Sequence, residues 1–219
     1  MLQSVELQTT PSPTASIVWL HGLGADGYDF VPVVKELEAL GAPPARYLFP
    51  HAPMRPVTIN GGMTMRAWYD ILGTELTRRE DEAGVRESQG LVEELIAREE
   101  QRGIARSRIV LAGFSQGGAI TLHTGLRQAA PLAGLLALST YLPLAASFAA
   151  ERAAASQNVP ILMAHGTQDP IIPMARATES RDALRALGYS VQWQQYPMPH
   201  SVCAEEIELI AGFLRAVIP

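Results

Sequence analysis

The 219-residue chain holds a single cysteine, Cys203, and a single lysine, Lys35, among 17 basic residues. One thiol cannot close a disulfide within the chain, which suits a reducing compartment. Net charge is -5 and the arginines form no basic cluster, so a nucleic-acid partner is not expected, because phosphate binding needs a positive stripe. No apolar run approaches the ~18 residues of a membrane-spanning helix. The start, Met1-Leu2-Gln3-Ser4-Val5-Glu6, has neither the charged nor the apolar stretch of a secretion signal. A cytoplasmic location is the expectation. Linkers, repeats and low-complexity tracts are also missing. What the chain does have is 47% hydrophobic residues against 18% charged, enough for residues 1–219 to fold as one domain around one core.

Apolar runs alternate with amphipathic stretches. Strand-like segments stand at 16–21, 46–49, 108–113, 132–138, 159–164 and 191–196. Between them, 30–40 carries Val33, Val34, Leu37 and Leu40 at helical spacing, and 80–102 carries the stripe Val85, Leu91, Val92, Leu95 and Ile96 within a charge-rich stretch. A further helix is expected at about 145–156. Near-continuous apolar strands joined by helices imply an α/β fold with a mainly parallel central sheet. Residues 54–72 break the pattern: Val57-Thr58-Ile59 and Met65-Arg66-Ala67-Trp68-Tyr69 flank Asn60-Gly61-Gly62, a hairpin signal.

The chemistry concentrates at Gly113-Phe114-Ser115-Gln116-Gly117, directly after the run Ile109-Val110-Leu111-Ala112 and before a helix-compatible stretch. Glycines two residues either side of a serine permit a sharp strand-to-helix turn, which leaves the hydroxyl exposed at a helix N-terminus. Ser115 is therefore the candidate nucleophile. A serine needs a base and an acid. Of five histidines, His21 closes a strand, His51 lies between prolines, His123 falls within the helix after Ser115, and His165 ends a strand. His200, in the loop Pro197-Met198-Pro199-His200-Ser201, remains as the base; its bland alternative is a helix cap. Of six aspartates, Asp169 stands in the loop past a strand end, although it would equally suit an Asx turn before Pro170. The order Ser115, Asp169, His200 is that of α/β-hydrolases.

Gly22-Leu23-Gly24-Ala25-Asp26-Gly27 matches the dinucleotide fingerprint G-x-G-x-x-G. That fingerprint also requires an acidic residue at the end of the next strand, and Arg46-Tyr47-Leu48-Phe49 is followed by Pro50 and His51. A better use of the loop is an oxyanion hole: an acyl-transfer serine enzyme needs one amide from the residue after the nucleophile and one from an early loop. Gln116 and Leu23 are those candidates.

Together these segments resemble the carboxylesterase and acyl-protein thioesterase branch of the α/β-hydrolases. The similarity is carried by His21-Gly22-Leu23-Gly24-Ala25-Asp26-Gly27, Phe49-Pro50-His51-Ala52-Pro53, Met65-Arg66-Ala67-Trp68-Tyr69-Asp70, Gly113-Phe114-Ser115-Gln116-Gly117-Gly118 and His165-Gly166 with Asp169 and Pro173. It spans about residues 17 to 205. The resemblance implies the same five residues as the site. It leaves open esters, lysophospholipids and S-acylated proteins as substrates.

The expected function is a serine carboxylesterase acting on short to medium acyl esters by two-step acyl transfer, with no metal or cofactor. The alternatives are an acyl-protein thioesterase or lysophospholipase and, from other classes, a nucleotide-dependent oxidoreductase or a non-catalytic binding protein. Only 53 residues separate Ser115 from Asp169, so no large cap domain is expected. Met65, Trp68, Leu142 and Ile171 are the candidate substrate contacts. The hairpin residues have a second reading, as packing or as a contact in a homodimer.

Overall fold

The computed structural model describes residues 2–73 and 80–218. In chain order the described elements are β1 (Ser4–Gln8), β2 (Ser16–Leu20), α1 (Val31–Ala39), β3 (Arg46–Pro50), β4 (Met54–Val57), β5 (Met63–Arg66) and α2 (Glu82–Gln101). They continue with β6 (Ile109–Phe114), α3 (Gln116–Gly125), β7 (Gly134–Leu138), α4 (Ala145–Glu151), β8 (Ile161–Gly166), α5 (Met174–Ala186), β9 (Val191–Tyr196) and α6 (Ala204–Val217). Seven strands form one sheet in the order β1-β3-β2-β6-β7-β8-β9. Every pairing is parallel except β1 with β3. This is the α/β-hydrolase architecture.

Alternation along the central strands sorts the helices onto two faces. Ile17 and Trp19 join Val110, Leu136 and Leu162 in a core closed by Val34 and Leu37 of α1 and Ile207, Ile210 and Leu214 of α6. Val18 and Leu20 point the other way, to Val92 and Leu95 of α2, Ile120 of α3 and Leu184 of α5. Both faces are thus covered, which is why these strands read as continuous apolar runs.

Three expectations change in detail. β1 escaped the sequence reading because its half-exposed, edge position leaves no apolar pattern. The hairpin strands are β4 and β5, paired from Met54 with Arg66 to Val57 with Met63. Thr58–Asn60 is a 3-10 turn leading to Gly61 at φ 66° and Gly62 at φ 79°. The helix expected at 145–156 stops at Glu151. No helix among the described residues is long and apolar enough to cross a membrane.

Candidate active site

β6 sits at the centre of the sheet and delivers Ser115 to its C-terminal edge. The turn into α3 is so tight that a Cβ on Gly113 would fall on the Gly117 backbone, and one on Gly117 would fall on the carbonyls of Leu20 and His21. Ser115 itself stands at φ 55°, ψ -120°, a conformation costing about 1–3 kcal/mol that persists only when its surroundings enforce it. They do so here: Ser115 N–H donates to Leu138 O at 2.9 Å, and its carbonyl accepts from Thr140 Oγ1 at 2.7 Å. The hydroxyl is thereby aimed out of the sheet.

It meets His200. Ser115 Oγ lies 2.8 Å from His200 Nε2, and His200 Nδ1 lies 2.6 Å from Asp169 Oδ2. A carboxylate only accepts, so Nδ1 carries the proton and Nε2 is left free to accept from the serine. The other oxygen of Asp169 takes the amides of Ile171 at 2.8 Å and Ile172 at 2.9 Å. Those bonds fix the carboxylate plane. Behind it, His165 donates through Nε2 to Ile172 O at 2.9 Å and, with its pKa lowered by burial, braces the loop without adding charge. Phe114 packs on the His200 ring at 4.7 Å between centroids.

The two residues whose amides are expected at an oxyanion hole, Leu23 and Gln116, border the same cavity as Ser115. Gln116 is the first residue of α3, so its N–H has no intrahelical acceptor. Among the described residues no hydrogen bond engages the Leu23 amide either, although Gly24 N–H donates to Arg66 O at 2.9 Å and Ala25 N–H to Gly22 O at 3.3 Å. Leu23, Ser115 and Gln116 all line one cavity of about 440 Å³. Its remaining wall is mainly apolar and aromatic, from Ile59, Tyr69, Ile71, Tyr141, Ile171 and Ile172, with Arg176 as the charged member.

Of the four expected substrate contacts, only Ile171 lines that cavity, with 65% of its surface exposed. Trp68 does not. It is fully buried, and its backbone N–H donates to Gln116 Oε1 at 2.7 Å while its indole donates to His21 O at 2.9 Å. An indole with a buried acceptor and a full shell of neighbours acts as a strut, not as a wall. Met65 also lies outside the lining, with its sulfur near Gly24 and accepting from Asn60 Nδ2 at 3.4 Å. Leu142 is buried beside a second cavity of about 390 Å³ that it shares with Glu80, Arg176 and Ser180.

The sequence reading missed Tyr69, Tyr141 and Arg176. The two phenols meet at 2.7 Å, both held neutral by burial. Arg176 stacks 3.3 Å above the Tyr141 ring centroid, 3.9 Å from Glu80, and borders both cavities. Residues from four separate segments meet here, and no short motif signals that. The side chain of Gln116 was missed as well: it accepts from Trp68 N–H and donates to Tyr69 O at 2.7 Å, tying the hairpin exit to the elbow.

The chain matches the phospholipase/carboxylesterase family of α/β-hydrolases over residues 4–218. It is 40% identical over 215 residues to acyl-protein thioesterase 1 of Neurospora crassa, covering 94% of this chain and 88% of that one. Acyl-protein thioesterase 1 of Mycosarcoma maydis is 41% identical over 224 residues, 94% and 92% of the two chains. Among solved structures, acyl-protein thioesterase 2 of Zea mays superposes with a TM-score of 0.86 at 26% identity, each chain covered in full.

Proposed function

Because the chain belongs to the phospholipase/carboxylesterase family and is thereby a carboxylic ester hydrolase, we propose that it cleaves acyl thioesters of S-acylated proteins through Ser115. The single observation carrying the chemistry is the 2.8 Å and 2.6 Å chain of contacts from Ser115 through His200 to Asp169 at the edge of an apolar cavity. The sequence reading put simple carboxylic esters first and protein thioesters second. Relatives named acyl-protein thioesterase at 40–41% identity support the reverse order, with lysophospholipids as a further ester class.

His200 Nε2 takes the Ser115 proton as Oγ attacks the acyl carbonyl, and Asp169 holds the imidazole tautomer and balances its charge. The oxyanion forms between the amides of Leu23 and Gln116. His200 then returns the proton to the departing sulfur or oxygen, leaving an acyl-serine. Water, deprotonated by the same imidazole, releases the acid. Tyr69, Tyr141 and the isoleucines offer the acyl chain an apolar wall, each buried methylene contributing up to about 0.8 kcal/mol.

The test is a matched pair of peptides, one with an octanoyl thioester on cysteine and one with the octanoyl ester on serine, given to the wild type and to Ser115→Ala. The proposal expects both cleaved, the thioester with the higher kcat/KM, and a loss of about 10³-fold or more in Ser115→Ala. A Ser115→Ala enzyme that still turns over removes the nucleophile. Preference for the serine ester restores simple carboxylesters to first place.

A further inference from the structure

His21 takes no part in the proton relay, yet it is almost wholly buried and both ring nitrogens are engaged. Nδ1 lies 2.7 Å from Gly22 O. A carbonyl only accepts, so this nitrogen carries the proton. Nε2 lies 3.0 Å from the Ala52 amide, which only donates, so this nitrogen carries the lone pair. Two opposite partners thus specify one neutral tautomer. Burial, the largest cause, lowers the imidazole pKa to about 4 against the opposing pull of the Gly22 bond, so the tautomer persists throughout the neutral range.

The carbonyl that His21 grips belongs to the peptide unit whose other end is the Leu23 amide. In a trans peptide the C=O and N–H point in opposite directions. Drawing the oxygen back to the imidazole therefore turns the Leu23 N–H away from His21. The amides of Gly24 and Ala25 are spent on Arg66 and Gly22, which leaves Leu23 as the open one, on the lining of the cavity that holds Ser115. A Gly-Leu peptide needs such a clamp, since glycine opposes rotation less than any other residue. Resting on the acyl-transfer reading, we propose that His21 is a positioning residue for the oxyanion hole, its Nδ1–H holding the Gly22-Leu23 peptide so that the Leu23 amide faces the carbonyl oxygen under attack. Ala52 and the Trp68 indole, which donates to the His21 carbonyl, hold His21 itself in place.

Two variants separate the clamp from simple packing. His21→Asn can present an amide N–H where Nδ1 stood but gives up the Ala52 bond; His21→Gln can reach Ala52 but gives up the Gly22 bond. Each loses one hydrogen bond and some volume, so a merely structural role predicts equal damage. The clamp predicts a kcat loss of about tenfold to a hundredfold in His21→Gln with KM within about twofold, and a kcat within about fivefold of wild type in His21→Asn. A trifluoromethyl ketone, which adds to Ser115 as an oxyanion, should weaken in proportion to kcat/KM. The Leu23 amide resonance, followed by ¹⁵N NMR, should broaden or shift in His21→Gln and hold in His21→Asn. Equal kcat losses, a loss confined to KM, or an unmoved Leu23 amide in His21→Gln would each overturn the proposal. A perturbed amide with intact kcat would overturn it as well, because the Leu23 amide would then not serve the carbonyl oxygen; failure of the underlying acyl-transfer reading shows separately, as turnover that survives in Ser115→Ala.

Discussion

The nucleophile elbow and the Met54–Arg66 hairpin with its exit border the same catalytic edge, but they are built on opposite terms. At the elbow all but the half-buried Phe114 is enclosed: Ser115 is 8% exposed and all of α3 from Gln116 to Gly125 is buried. On the hairpin, Met54 is 59% and Met63 65% exposed, and no atom of the described residues lies within 4 Å of a Cβ placed on Gly61 or Gly62. Backbone crowding fixes one region; the other is held by hydrogen bonds, from Arg66 to Ala52 O and Trp68 to Gln116 at its exit and from Thr58 to Asp70 and Ile59 to Ile71 at its turn. The expectation is that the geometry at Ser115 responds to the hairpin's exit, which bonds to Gln116, and not to the glycines at its tip.

The same substitution in both regions should break or establish this contrast. In Gly117→Ala the new methyl meets the carbonyls of Leu20 and His21, so the elbow must open at a cost of about 1–3 kcal/mol. Moving Ser115 by even about 1 Å costs on the order of 10²-fold in rate. Gly62→Ala has free space but a positive φ of 79°, and should cost about 1 kcal/mol with kcat unchanged. Denaturant melts and single-turnover kinetics on both variants decide it; similar kcat losses would mean that the tip, too, shapes the site.

A pH titration should sharpen the contrast through His123, which lies inside α3. Its ring is wholly buried, neither nitrogen has a hydrogen-bond partner among the described residues, and burial lowers its pKa to about 3. The unfolded chain takes up this proton near the ordinary value of about 6.5, while the buried site in folded α3 refuses it. Its contribution is thus fully present above pH 6.5 and is lost as pH falls toward 3, by up to a few kcal/mol. His123→Leu should flatten the acid limb of the stability curve by that amount. An unchanged limb would place the acid sensitivity elsewhere.

How much of this was legible followed from where each constraint acts. The elbow could be read because its glycines answer a backbone requirement within five consecutive residues, and because few histidines and aspartates compete for the loop positions after β8 and β9. The sheet could be read because burial on both faces makes strands uniformly apolar. Neither Trp68 nor Arg176 carried such a mark. A tryptophan beside methionines looks the same whether it lines a cavity or braces one, and only the partners of its N–H groups decide. Glu99 is a parallel case: the sequence places it on a solvated helix, yet it is wholly buried between Arg46 at 2.7 Å and Arg102 at 2.9 Å. Pairings across 53 residues leave no local trace.

The smallest effects should lie along the cavity wall, and they distinguish a strut from a contact. Trp68→Phe removes the indole bond to His21 O and part of a packed ring, for about 1–3 kcal/mol of stability. Because Trp68 is fully buried and does not line the cavity, any loss of kcat/KM should be equal for p-nitrophenyl acetate, butyrate and octanoate. Ile171→Ser keeps the amide that donates to Asp169 and removes apolar surface from the lining. Here the loss should be near zero for acetate and grow with chain length, reaching about fourfold to fifteenfold for octanoate, equivalent to one or two methylenes at ~0.8 kcal/mol each. Chain-length dependence in Trp68→Phe, or its absence in Ile171→Ser, would exchange the two roles and bring the hairpin exit back into the acyl pocket.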